Sequence, residues 1–255
     1  MKKGKVFLVG AGPGDPKLIT VYGKECIENA DVILYDRLIN NELLNYAKKD
    51  AELIFCGKLP GKHAIIQEQI HTLLVEKASE GKIVTRLKGG DPCVFGRVGE
   101  EAEVLAEQNI SYEIVPGITS GIAAPAYAGI PVTHRDYATT FAIVTGHGRS
   151  EKENDYLNWS ALAQGIDTLA FYMGIGNLHH ICTMLVKHGR NPETPVAIIQ
   201  WGTTEHQKTV TGSLLTIEKE AEEAEITHPA IVLVGEVVQL RKKLNWFEDL
   251  KGISV

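Results

Sequence analysis

The sequence predicts an α/β protein in which mostly parallel strands alternate with covering helices, and three observations carry that prediction. Short β-branched apolar runs recur along the chain, most of them ending in glycine or a small polar turn. Segments with helical spacing of apolar residues lie between those runs. The glycines, 25 in 255 residues, exceed the usual share of roughly 7% and gather after the strands. That placement matters because open α/β sheets bind ligands beyond the carboxyl ends of their strands.

The elements follow in order. Val6 to Val9 reads as a first strand, followed by the loop Gly10-Ala11-Gly12-Pro13-Gly14-Asp15 and a helix from Thr20 to about Asn29. Asp31 to Tyr35 is a second strand ending at Asp36-Arg37, Asn41 to Lys48 a helix, and Ala51 to Cys56 a strand ending at Gly57-Lys58. The spacing of Ile66, Ile70, Leu73 and Leu74 predicts a helix over His63 to Ala78. Lys82 to Leu87 is a strand leading to Gly89-Gly90-Asp91-Pro92, Gly99 to Gln108 a helix, and Ser111 to Val115 a strand meeting Pro116-Gly117-Ile118-Thr119-Ser120. Gly121 to Gly129 suits a closely packed helix whose start Pro125 limits. The rhythm pauses at Pro131 to Tyr137, which predicts a junction between a domain at 1–134 and a domain at 135–255. The second block reads as strand Thr139 to Thr145, loop Gly148 to Asn158, strand Thr168 to Tyr172, helix Leu178 to His188 and strand Pro195 to Gln200. A polar turn follows, then a hairpin return or helix start at Gly212-Ser213, a solvated helix face over Glu218 to Glu225, strand Pro229 to Val234 and a closing helix Val237 to Leu244.

Composition excludes several classes. No run of roughly 18 or more apolar residues is present, which argues against a helical membrane protein. The start Met1-Lys2-Lys3-Gly4-Lys5 passes directly into the first strand, too soon for a signal peptide, and predicts a cytoplasmic protein. A net charge of −6 offers no global footprint for nucleic acid or an anionic membrane, although local Arg and Lys residues can still hold a small anion. Cys26, Cys56, Cys93 and Cys182 form no Cys-x-x-Cys pair and read as thiols in a reducing compartment.

The chemistry concentrates in the loops. The first loop resembles a dinucleotide fingerprint, yet Asp15 stands where a pyrophosphate meets a helix N-terminus, and a carboxylate there caps the helix but repels phosphate. A tight turn and a loop for a phosphate-free nucleoside both remain open. At the second loop Asp91 could accept hydrogen bonds from a ribose or an amine, or it could be an ordinary cap. Thr119 and Ser120 add hydroxyls beside Gly117. His134, Arg135 and His147 adjoin loops, whereas the adjacent pair His179-His180 cannot act as an i,i+4 metal pair. No hydrolase or phosphate-loop motif is present, and no metal site is expected.

The runs Val9 to Asp15, Tyr35-Asp36-Arg37-Leu38, Gly57-Lys58, Arg86 to Pro92, Pro116 to Ser120, Tyr172-Met173-Gly174, Trp201-Gly202-Thr203 and Val234 to Val238 together resemble the tetrapyrrole methyltransferase family over almost the whole chain. The resemblance implies two α/β domains of the class III methyltransferase type, usually in a homodimer, with S-adenosyl-L-methionine in the interdomain cleft and S-adenosyl-L-homocysteine as product. It also implies an anionic tetrapyrrole substrate, uroporphyrinogen III, methylated at C2 and C7 through precorrin-1 to precorrin-2 for sirohaem and cobalamin synthesis. The Tyr-Asp-Arg-Leu segment favours this substrate over those of related precorrin methyltransferases.

Carried to matching positions, the resemblance makes Pro13, Gly89, Gly90, Asp91, Val94, Thr119, Ser120, Met173, Gly202 and the backbone near Gly235 cofactor contacts. Asp36 is implied as proton acceptor and Lys58 as proton donor. Arg37, Arg97, Arg135 and Arg149 are candidates for the substrate carboxylates, whose planar geometry suits guanidinium. The chain departs from many relatives in having Leu59-Pro60 after Gly57-Lys58, which leaves Lys58, Lys62 and His63 as that loop's candidates. A nucleotide-dependent reductase and a catalytically silent nucleoside-binding protein are the alternatives; tight S-adenosylmethionine binding without NAD binding removes the first, and methyl transfer removes the second.

Overall fold

The computed structural model describes residues 3–57, 66–146 and 157–248. The chain divides into two compact units, Met1–Thr119 and Ser120–Val255, a boundary that falls earlier than the junction expected after residue 134. The helix following the boundary packs on strands of the second unit, so it belongs there and does not end the first.

The first unit is a five-stranded, wholly parallel sheet in the order β3-β2-β4-β1-β5. The strands are β1 (Lys5–Gly10), β2 (Val32–Tyr35), β3 (Glu52–Phe55), β4 (Ile83–Lys88) and β5 (Ser111–Val115). Helix α1 (Val21–Asn29) starts where Thr20 accepts the Gly23 N–H, α2 covers Gln67–Ser79, and α3 covers Val98–Glu107. The segment expected as an α-helix over Asn41 to Lys48 is a 3-10 helix over Asn41–Tyr46. Because side chains alternate along a strand, Val6, Leu8, Val32, Leu34 and Val84 pack beneath α2 and α3. Val9, Ile33, Leu87 and Val115 pack on the opposite face with Cys26 and Ile27 of α1. All carboxyl ends of the strands therefore share one edge, with the loops after β1, β2, β4 and β5 gathered there.

The second unit departs from the parallel pattern. Strands β6 (Phe141–Thr145), β7 (Thr168–Tyr172), β8 (Pro195–Gln200), β9 (Lys208–Ser213) and β10 (Ala230–Val234) run in the order β6-β7-β10-β8-β9. Only β6 and β7 pair in parallel; the other neighbours are antiparallel. Gly212-Ser213 thus ends a hairpin strand. Helices α5 (Trp159–Gly165), α6 (Leu178–Lys187) and α7 (Ile217–Glu223) bury Trp159, Ile181, Leu185 and Ile217 on one face. On the other lies α4 (Ser120–Tyr127), which carries Pro125 buried in its interior, where the sequence had suggested that this proline limits the start. The closing segment is a 3-10 turn over Glu236–Leu240 leading into a short α8 (Arg241–Leu244).

One close approach governs the carboxyl-end edge of the first sheet. A Cβ on Gly10 would lie 2.6 Å from the Gly117 Cα and 2.7 Å from the Gly90 oxygen. In contrast, Gly99 in α3 has open space around it. Gly10→Ala should therefore destabilise the protein by about 1–3 kcal/mol through overpacking, and Gly99→Ala should stabilise it by roughly 0.5–1 kcal/mol through helix propensity. Urea melts of the two variants measure both signs.

Candidate functional site

The glycine loops of the first unit interlock before any ligand is considered. Gly12 and Gly90 exchange backbone hydrogen bonds at 3.2 and 2.7 Å, with both residues at positive φ (+80° and +69°) that an L side chain rarely adopts. Asp91 ties the loop after β4 to the loop after β5, its Oδ2 accepting the Gly117 N–H at 2.9 Å and its Oδ1 the Cys93 N–H at 2.8 Å. Asp15 caps the 3-10 turn Pro16–Leu18 by accepting the Lys17 N–H at 2.9 Å. No Lys or Arg occurs in residues 10–15 or 89–94. These two loops therefore present backbone, small residues and carboxylate, groups that fit a phosphate-free cationic nucleoside and offer a pyrophosphate no counter-charge.

Beside this edge lies a buried ionic set that reading the sequence missed. Strand alternation places Arg86 and Lys88 on the same face as Val84, under α3. The buried stripe of α3 is Val98, Glu101, Ala102 and Leu105, a helical spacing with a glutamate at one core position. Glu101 Oε1 accepts from Lys88 Nζ at 2.9 Å, Arg86 Nε at 3.2 Å and Gln67 Nε2 at 3.2 Å. Its Oε2 is buried without a hydrogen bond among the described residues. The other end of the Arg86 guanidinium donates from Nη2 to Asp36 Oδ1 at 2.6 Å. Asp36 follows β2, is one-third exposed, and is set by its N–H donating to the Leu87 carbonyl. Burial works against the Arg86 charge, yet Asp36 and Glu101 outweigh it and hold the guanidinium above its ordinary pKa. Burial and then the Arg86 charge pull the Lys88 ammonium below its own.

The remaining expected residues are placed as follows. In the first unit Pro13 and Val94 are half-buried, Thr119 is buried, and a Cβ on Gly89 would touch Leu38 at 3.1 Å. Arg37 is exposed. Arg97, also exposed, makes a two-point ion pair with Glu100 at 2.8 and 2.6 Å. Lys58, Lys62, His63 and Arg149 lie outside the described residues.

In the second unit Arg135 is exposed and Ser120 opens α4, where the Tyr172 hydroxyl accepts the Gly121 N–H at 2.5 Å. Met173, directly after β7, is 56% exposed at φ +54°, a strained backbone for a non-glycine residue and a mark of functional loops. Trp201 and Thr203, flanking Gly202 after β8, share positive φ. The close approach at Gly202 is to α4, its Cβ position lying 2.4 Å from the Ala124 Cβ, and that at Gly235 is to the Asp167 carbonyl at 2.7 Å. Asp167 itself joins β6 and β7. Donation from the Thr139 and Thr140 backbone N–H groups lowers its carboxyl to about 2.

Among the described residues no group of three or more His, Cys, Asp and Glu is arranged to hold a metal ion, and no helix is long and apolar enough to cross a membrane.

Comparison with known proteins gives concordant results. The family model of the Tetrapyrrole (Corrin/Porphyrin) Methylases matches residues 5–218. The chain is 61% identical to a uroporphyrinogen-III C-methyltransferase of Priestia megaterium, over 92% of this chain and 98% of that protein. It is 55% identical to one from Bacillus subtilis over 98% of this chain, but spans only 51% of that longer protein. A crystal structure of uroporphyrin-III C-methyl transferase from Thermus thermophilus, complexed with S-adenyl homocysteine, superposes with a TM-score of 0.78 at 36% identity, over 93% of this chain and 94% of that one.

Two outcomes follow from the charges. Glu101→Gln leaves two buried cations short of an anion and should cost about 3–5 kcal/mol, read from urea unfolding. Because the Asp167 carboxyl is depressed, its stabilisation is complete above its ordinary pKa of 3.8 and is lost as pH falls toward about 2. The melting temperature of Asp167→Asn should accordingly fall less steeply than wild type across that acid window, and equal slopes would remove Asp167 as a contributor.

Proposed function

Because the chain belongs to the tetrapyrrole (corrin/porphyrin) methylase family, we infer that it transfers methyl groups from S-adenosylmethionine to C2 and C7 of uroporphyrinogen III, giving precorrin-2 for sirohaem and cobalamin synthesis. The observation that carries this reading is the near full-length likeness to the Priestia megaterium enzyme. The loops after β1 and β4 support it independently, since residues 10–15 and 89–94 carry no Lys or Arg, which suits a cofactor without phosphate.

Bound S-adenosylmethionine supplies an electrophilic methyl group on a sulfonium sulfur. The chain's own task is to hold an electron-rich pyrrole carbon in line with it, and such alignment can contribute several of the roughly 7–11 kcal/mol available from proximity. Cofactor contacts are assigned to the backbone at Pro13, Gly89 and Gly90, to the carboxylate of Asp91, and to Val94 and Thr119. Ser120, Met173, Gly202 and Gly235 are assigned to the cofactor as well. As the new carbon–carbon bond forms, positive charge develops on the pyrrole, and loss of its N–H proton relieves that charge. Asp36 accepts this proton. Its Oδ1 is held by Arg86 and its Oδ2 has no partner among the described residues. Lys58 serves as proton donor, and Arg37, Lys62, His63, Arg97, Arg135 and Arg149 receive substrate carboxylates. The enzyme works as a cytoplasmic homodimer without a metal.

Incubation with labelled S-adenosylmethionine and a panel of reduced tetrapyrroles, with products resolved by mass, tests the reading. Uroporphyrinogen III should gain two methyl groups; methylation of a different tetrapyrrole, or of none, would contradict it. Asp36→Asn should bind the cofactor normally and lose about 10²–10⁴-fold in single-turnover methyl transfer, with a thermal melt establishing the folded fraction. Gly90 is unsuited to a binding test because its positive φ strains any side chain. Met173→Ala keeps the backbone type and should weaken cofactor binding up to about tenfold by calorimetry, through loss of the thioether contact.

A further inference from the structure

We propose that Arg86 is a positioning residue for methyl transfer, clamped from behind by Glu101 so that its guanidinium fixes the Asp36 carboxylate. The inference deepens the reading above and rests on the base role given there to Asp36.

The geometry is that of a strut between two elements. Arg86 is 97% buried as a side chain, Glu101 is wholly buried, and Asp36 alone of the three reaches solvent. The guanidinium donates in two directions, Nε to Glu101 Oε1 and Nη2 to Asp36 Oδ1, so its plane is fixed at both ends. Its Nη1 turns to the Leu87 carbonyl at 3.4 Å, and Leu87 also accepts the Asp36 N–H. Backbone and side chain of Asp36 are therefore referenced to the same strand, β4, whose next residues form the glycine loop. Lys88 binds the same Glu101 oxygen and balances the set, two carboxylates against two cations. A surface partner would leave Asp36 free to rotate; a buried one confines Oδ1 and presents Oδ2 in one direction. Nothing in this arrangement requires Arg86 to touch substrate.

A lysine at position 86 keeps the charge but cannot bridge Glu101 and Asp36 with a planar fork. Single-turnover rates, the KM for uroporphyrinogen III, the Kd for S-adenosylmethionine and thermal melts should be measured for Arg86→Lys, Asp36→Asn and the double variant. Arg86→Lys should lower kcat by about 100-fold, the scale of a reacting group displaced by about 1 Å, with KM and Kd unchanged. In the Asp36→Asn background it should lower kcat no further, because the group it positions is already gone. Should Arg86→Lys not fold, Glu101→Asp withdraws the rear anchor while keeping the charge balance, and is expected to lower kcat in the same direction and likewise only when Asp36 is present. A folded Arg86→Lys protein with wild-type kcat would overturn the inference. So would a loss that multiplies with that of Asp36→Asn, or one that appears in KM alone. Asp36→Asn at the wild-type rate would instead overturn the base reading, and this inference with it.

Discussion

Charge neutrality beneath α3 is the constraint on which the first unit's active edge depends. Two cations on β4 sit where alternation should place apolar side chains, and burying either without an anion costs several kcal/mol. Glu101 supplies one negative charge and Asp36 the other. Asp36, directly after β2, reaches Arg86 and the Leu87 carbonyl of β4 at the carboxyl end of the sheet. Asp36 is thereby the counter-ion to Arg86, and the proton-accepting role proposed for it needs the same geometry.

The glycine seam serves the same edge by a different route. Gly10, Gly90 and Gly117 allow three loops to meet at backbone distance, and Asp91 fastens two of them with its carboxylate. Asp91 is thus already engaged by two N–H groups, and its remaining lone pairs are what a ligand can use. A loop set rigid in this way has little ordering left to do on binding a ligand. The left-handed backbone at Met173 in the second unit is strain of the kind that accompanies ligand loops.

Much of this was legible in the sequence. The strand–loop–helix rhythm located every strand but one, because buried parallel strands are continuous β-branched runs and glycines mark their ends. Strand β9, Lys-Thr-Val-Thr-Gly-Ser, escaped because it is polar and sits at a sheet edge. The switch to antiparallel pairing in the second sheet could not be read, since β8 and β10 are buried alike whichever way they run. At the candidate site, the loop glycines and the strand-end Asp36 stood out by position, and the cofactor followed from the resemblance, with Asp15 arguing against a phosphate. Arg86, Lys88 and Glu101 did not stand out, because charged residues are ordinarily read as solvated. The signal was nonetheless present: Val84, Arg86 and Lys88 share strand parity, and Glu101 falls on the Val98–Ala102–Leu105 stripe.

A crystal structure of the protein with S-adenosylhomocysteine and a uroporphyrin-type ligand would show whether Arg86 holds Asp36 against the substrate. Asp36 Oδ1 should still lie on Arg86, with Oδ2 at hydrogen-bond distance, about 3 Å, from a pyrrole nitrogen. A substrate seated away from Asp36, or an Asp36 carboxylate released from Arg86 in the complex, would contradict it.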